Sequence, residues 1–156
     1  MAEMLSNDML DLLKDLARHK VEFLIIGGHA VNYYSDPRAT KDLDLWIRAT
    51  PQNAQQVYAA LKDFGAPVES RSPADFCDGA SFFIIGVKPN RVDLLQNVPG
   101  VEFSAAWSRQ QRVNLAGVEV GVIGLEDLIR AKTAAGRPQD LADLEKLNKI
   151  GKGDKR

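Results

Sequence analysis

Cysteine is all but missing. Cys77 stands alone among 156 residues, which excludes an internal disulfide and any zinc site built from several thiolates, and agrees with a reducing compartment. No apolar run approaches the roughly 18 residues that a membrane span requires. The N-terminus sets Glu3, Asp8 and Asp11 among its leucines and lacks the basic segment and small-residue cleavage site of a secretory signal. A cytoplasmic protein without a membrane partner is therefore expected. An excess of either charge is also absent: 20 Lys and Arg stand against 21 Asp and Glu, a formal charge of −1. That excludes a strongly basic protein that coats nucleic acid by charge alone, though not one with a local basic groove. Internal repeats are lacking, and no linker divides the chain.

What remains is an ordinary globular composition, 45% hydrophobic and 26% charged, in a chain long enough to bury roughly two-thirds of its unfolded surface. Leu5, Met9, Leu12, Leu13 and Leu16 recur at helical spacing behind a Ser6 or Asn7 cap. Phe23 to Ile26 is a short apolar run ending at Gly27-Gly28, the pattern of a strand buried on both faces. A short helix over His29 to Tyr34 follows. Asp42 to Ile47 alternates strictly and predicts a second strand. Pro51 opens a helix that Gly65 stops. The stretch 66–79 has no clear period and is expected to be loop. Ala80 to Val87 and Arg91 to Gln96 predict strands around a Lys88-Pro89-Asn90 turn, and Arg112 to Leu115 and Val118 to Ile123 a further hairpin. Leu125 to Ala135 and Pro138 to Ile150 predict two amphipathic helices, with 151–156 a frayed basic tail. The order implies one α+β domain over residues 1–150: a mixed sheet flanked by helices and closed by a C-terminal helical pair.

Chemistry concentrates in Gly27-Gly28-His29, Asp42-Leu43-Asp44 and Asp93. Residues two apart on a strand share a face, so Asp42 and Asp44 project together while Leu43, Leu45 and Ile47 project oppositely. Asp93 likewise opposes Val92 and Leu94. If the two strands are neighbours, three carboxylates converge, and like charges about 4 Å apart repel by roughly 4 kcal/mol at an effective dielectric near 20. A raised pKa or a divalent cation relieves this, and hard oxygen ligands favour Mg²⁺ or Mn²⁺. Gly27 and Gly28, between strand and helix, let the backbone approach an anion such as phosphate, with Arg38 and Lys41 near in sequence. Read singly, Asp42 and Asp44 fit the solvated face of a half-buried strand equally well, and Trp46 by parity fits either a base-stacking residue or cleft lining. Cys77 has no partnered histidine to make it a nucleophile, and Trp107 has no pattern around it.

Taken together, Gly27-Gly28-His29, a gap of twelve residues, and Asp42-Leu43-Asp44 resemble the signature of the DNA polymerase beta-like nucleotidyltransferase superfamily. Phe23 to Asn32 with Arg38 to Asp44 is similar to its small bacterial and archaeal members, including those of abortive-infection and toxin–antitoxin systems. Leu125 to Ile129, Lys132 and Gly136 to Leu141 resemble that group's C-terminal helices. The resemblance implies a nucleotidyltransferase fold and an enzyme that moves a nucleoside monophosphate from a nucleoside triphosphate, ATP among the candidates, to a hydroxyl on RNA, protein or a small molecule, releasing pyrophosphate. It implies that Gly27 and Gly28, with Lys132 and Arg137, bind the nucleotide, and that Asp140 orients Arg137. Arg38 and Lys41, near in sequence, and His29, whose ring could donate an N–H or stack on a base, are expected to join them. Asp42, Asp44 and Asp93 become the catalytic and metal-binding carboxylates, with Mg²⁺ or Mn²⁺ as cofactor. His29 departs from the pattern, because many members carry Ser there. That departure motivates an alternative: an inactive nucleotide- or RNA-binding module on the same fold, with an antitoxin-like partner. A glycosyltransferase using Asp-x-Asp for a nucleotide sugar leaves Gly27-Gly28 unexplained.

Overall fold

A computed structural model describes residues 1–40, 42–87 and 90–153. Lys41, the Lys88-Pro89 part of the expected turn, and 154–156 lie outside the described residues. Six strands form one sheet in the order β3-β4-β2-β1-β6-β5. They are β1 (Phe23–Ile26), β2 (Asp42–Ile47), β3 (Phe83–Ile85), β4 (Arg91–Leu95), β5 (Gln111–Leu115) and β6 (Val118–Val122). Helices α1 (Asn7–Arg18) and α3 (Pro51–Phe64) pack on one another, as do α2 (Gly27–Tyr34), α5 (Leu125–Ala135) and α6 (Pro138–Gly153). The architecture is α+β, with a mixed sheet, as the sequence implies.

Local chemistry explains most of the boundaries. The Ser6 hydroxyl accepts the Met9 N–H at 3.2 Å and starts α1, whose Met9, Leu12, Leu13 and Leu16 are all buried. Burying each such side chain contributes about 1.5–3 kcal/mol. Thr50 caps α3, Pro51 fits its first turn, and Gly65 ends it in the left-handed region at φ 94°. β3 is shorter than the run 80–87 suggests, and a 3-10 turn over Pro73–Phe76 lies inside the expected loop. α6 continues to Gly153, beyond Ile150. Among the described residues, no helix is long and apolar enough to cross a membrane.

Register decides what the sheet presents. β2 runs parallel to β4, pairing Asp42 with Arg91, Asp44 with Asp93, and Trp46 with Leu95. β1 runs antiparallel to β2, setting Ile26 beside Asp44. Leu43, Leu45, Ile47, Val92 and Leu94, on the other face, are buried. Trp46 does share the acid face, but it is not open to a base. Helix α4 (Phe103–Ser108), absent from the sequence reading, covers it. The indole stands edge-on to Phe103 at 5.0 Å and donates Nε1–H to the Gln96 carbonyl at 3.1 Å. Trp107 stacks on Phe103, with the Arg48 guanidinium over the Phe103 ring at 4.7 Å.

α2 begins at the glycines themselves, two residues earlier than expected. His29 is 1% exposed, and neither ring nitrogen has a hydrogen-bond partner among the described residues. Burial, with smaller contributions from Arg38 and the N-terminal amine, pushes the imidazole from 6.5 down to about 4. Between those values the unfolded chain holds a proton that the folded chain refuses. Stability is therefore full above pH 6.5 and falls as the pH drops toward 4. At pH 5 the loss is about 2 kcal/mol. His29→Leu should remove this slope, so urea midpoints of the variant should change less than those of wild type between pH 7.5 and pH 5. Equal changes in the two proteins would contradict the assignment.

Candidate active site

The acid face meets α2, α5 and α6 in a cleft of two adjoining chambers. One, of about 410 Å³, lies against Gly27, Gly28, Arg38, Thr40, Asp42 and Gln139. The other, of about 490 Å³, lies against Asp93 and a mostly apolar wall. Asp44, Gly27, Lys132, Arg137 and Asp140 line both. The structure thus brings Gly27, Gly28, Arg38, Asp42, Asp44, Asp93, Lys132 and Arg137 to one place. His29 lines neither chamber, and Lys41 lies outside the described residues.

Gly27 adopts φ +68°, where L side chains are strained, and the Asp44 carboxylate occupies the space a Cβ would need. A Cβ on Gly28 would meet Thr40 Oγ1 at 2.7 Å and Arg38 Nη2 at 3.2 Å. Both glycines are therefore required by close approach, the first by the Asp44 carboxylate and the second chiefly by the Thr40 side chain. The absence of two side chains here keeps the polar chamber open beside the start of α2, where backbone N–H groups lack helical partners.

Burial, then the charges of Asp93 and Asp42, raise the Asp44 carboxyl to about 6, against the pull of Lys132 and Arg137. Asp93 is held differently. Arg91, two residues earlier on the same strand face, donates Nε–H to one oxygen at 2.8 Å and Nη2–H to the other at 3.0 Å. This bidentate pair supplies positive charge in the middle of the acids, and the sequence reading missed Arg91 altogether. The signal that could have found it is its spacing, two residues before Asp93 on one predicted strand and so on the same face. Among the described residues, no group of three or more His, Cys, Asp or Glu stands in an arrangement that could hold a metal ion. The donor chemistry of Asp42, Asp44 and Asp93 fits a hard divalent cation, and the guanidinium already seated on Asp93 shows that this face calls for positive charge.

A second ionic cluster closes the polar chamber. Lys132 Nζ reaches Asp140 at 2.9 Å and Asp143 at 3.1 Å. Arg38 donates to both Asp143 oxygens at 2.9 and 3.1 Å. Arg137 donates Nε–H to Asp140 at 2.7 Å and also its backbone N–H. Burial alone would raise the Asp140 carboxyl, yet hydrogen bonds from Arg137 and Lys132 hold it at about 2. Within this cluster three cations, Arg38, Lys132 and Arg137, answer two nearly inaccessible acids, Asp140 and Asp143. Asp143, unanticipated from sequence, ties α6 to the segment after α2. Removing Lys132 would leave two buried carboxylates short of a partner, a loss on the order of 3–5 kcal/mol.

The sequence matches a family described as "Nucleotidyl transferase of unknown function (DUF2204)" over residues 5–155. No curated protein matches it. The fold is similar to the lincomycin-bound lincosamide antibiotic adenylyltransferase LnuA, with a TM-score of 0.61, 16% identity, and coverage of 94% of this chain and 98% of that one. It is also similar to a putative nucleotidyltransferase (TM1012) from Thermotoga maritima, with a TM-score of 0.58, 16% identity and 86% of each chain covered. The antibiotic-resistance factor ANT(2'')-Ia matches with a TM-score of 0.56, 14% identity, and coverage of 95% of this chain and 89% of that one.

The raised carboxyl gives a sign to pH dependence. The folded chain holds the Asp44 proton up to about 6, whereas an unfolded Asp releases it near 3.9. Ionised Asp44 therefore strains the fold above pH 6, and the strain fades as pH falls toward 4. Asp44→Asn should melt a few degrees higher than wild type at pH 8, with the gap closing at pH 4. Calorimetric scans across that range check this; a gap independent of pH would contradict it.

Proposed function

The chain belongs to the family of nucleotidyl transferases of unknown function, and from that premise we propose that it moves a nucleoside monophosphate from a nucleoside triphosphate onto an acceptor hydroxyl. The observation that carries this reading is the meeting, at Gly27 and Asp44, of an acid face with a chamber lined by Arg38, Lys132 and Arg137. In this reading the β- and γ-phosphates lie over Gly27 and Gly28, against Arg38, Lys132 and Arg137. Asp42, Asp44 and Asp93 would hold Mg²⁺ or Mn²⁺, which when bound offsets charge on the transferred phosphoryl group and on the leaving pyrophosphate.

The protein's own part is positioning and charge. Gly28 places no side chain over the start of α2, so an anion in the chamber can approach the backbone N–H groups there. Lys132 is fixed by Asp140 and Asp143, so its ammonium needs no reorganisation when a polyanion arrives. Arg91 must release Asp93 before that carboxylate serves a metal or an acceptor. Incoming phosphate supplies the competing acceptor for its guanidinium.

The Arg91–Asp93 pair is also the one observation favouring the alternative, a module that binds nucleotide without turnover, and two measurements separate them. Transfer of radiolabelled nucleoside monophosphate from each of the four triphosphates should fall about a thousandfold or more in Asp42→Asn or Asp44→Asn, with circular dichroism unchanged. Turnover retained in the double variant would remove the assignment. Arg91→Gln should bind Mn²⁺ about tenfold or more tightly without nucleotide, read by electron paramagnetic resonance. Unchanged affinity would show that Arg91 does not compete for the acids.

A further inference from the structure

The two chambers differ in chemistry as well as in place. Away from the shared residues, the larger is walled by Leu95, Val98, Pro99, Leu128, Ala131 and Ala135. Leu128, Ala131 and Ala135 follow at the three- and four-residue spacing that puts side chains on one stripe of α5. Ala131 and Ala135 are the small members of that stripe, and open space stands before them. Asp93 is the only charged residue in this lining, among the described residues, that the polar chamber does not share.

Resting on the nucleotidyl-transfer reading, we propose that this apolar chamber is the acceptor subsite and that the acceptor is a compact, uncharged alcohol with an apolar face. Displacement at phosphorus places the attacking and leaving oxygens on opposite sides. The full set of cations suited to pyrophosphate, Arg38 together with the shared Lys132 and Arg137, is met only in the polar chamber, beside Gly28, so the attacking hydroxyl comes from the other side, past Asp93. The acceptor oxygen forms its bond to the α-phosphorus as the bridging oxygen to the β-phosphate departs with its electron pair. Pyrophosphate leaves, and the hydroxyl proton passes to Asp93. The two cations that also reach this lining, Lys132 and Arg137, are the ones assigned to pyrophosphate, so a phosphate-rich acceptor would meet Asp93 and Asp44 with no further cation there among the described residues. At about 490 Å³, walled mainly by apolar side chains, the chamber has the size and lining of a small-molecule site.

The test separates the chambers by their ligands. Calorimetry measures Mg²⁺-tripolyphosphate and the Mg²⁺ complexes of α,β-methylene ATP, GTP, CTP and UTP on wild type and Ala131→Phe. Saturation-transfer NMR follows cyclohexanol as the probe alcohol, with and without tripolyphosphate. Ala131→Phe should bind tripolyphosphate and the tightest analogue within about twofold of wild type while losing most of the cyclohexanol signal. That signal in wild type should survive saturating tripolyphosphate. Ala135→Leu carries the same expectation should Ala131→Phe fail to fold. The proposal is overturned if the filled chamber weakens the nucleotide analogue about tenfold with tripolyphosphate unaffected, because the nucleoside then sits there. It is equally overturned if cyclohexanol binds the variants as it binds wild type, or if a twelve-residue oligoadenylate displaces it from wild type. Wild type that binds neither tripolyphosphate nor any analogue counts against the nucleotidyl-transfer reading itself.

Discussion

Asp44 and Asp93 stand side by side on neighbouring parallel strands, and the repulsion between them is the constraint that the surrounding structure answers. Backbone pairing fixes their separation, so neither side chain can leave the face without a slip of register that would turn the apolar row Leu43, Leu45 and Ile47 outward. The fold lowers this cost in three ways. Asp44 keeps its proton up to about 6, Arg91 clamps Asp93, and α5 with α6 brings Lys132 and Arg137 within electrostatic reach of Asp44. Each remedy is one that a bound cation or substrate can replace. A site that merely needed stability would not leave its acids so incompletely answered. Replacing such a cluster by packed apolar side chains is often neutral or stabilising.

Much of this was legible in the residues, and the boundary of legibility is physical. The shared face of Asp42 and Asp44 follows from the period of a strand, and the Gly27-Gly28 bend from its place after an apolar run. Both are local. That β4 lies beside β2 is a nonlocal pairing, so Asp93 could be singled out while its neighbour could not. The ion pair of Arg38 with Asp143 joins residues separated by most of the chain, and nothing near either position announces it. Lys132 and Arg137 came forward through family resemblance rather than through any spacing.

The misses have the same origin. α4 is six residues long, too short for a periodic signal, and it is the element that closes over Trp46. Parity put that indole on the correct face, but burial depends on what packs above a face, which parity does not record. His29 beside the glycines reads as a ligand because of its neighbours in sequence. In three dimensions a helix turns it inward, away from both chambers. The apolar chamber was invisible for a related reason: its walls come from β4, the segment after it, and α5, each unremarkable alone.

The topology also has a consequence for biosynthesis. Asp42, Asp44 and Asp93 precede the cations on α5 and at its junction with α6 in the polypeptide, so those cations are translated later. A nascent chain leaving the ribosome therefore carries its carboxylates before the residues that balance them, with only Arg38 and Arg91 to hand. Domains form as units once their length permits. Here α5 and α6 convert a bare, self-repelling sheet surface into a finished cleft, so the cleft waits on their docking.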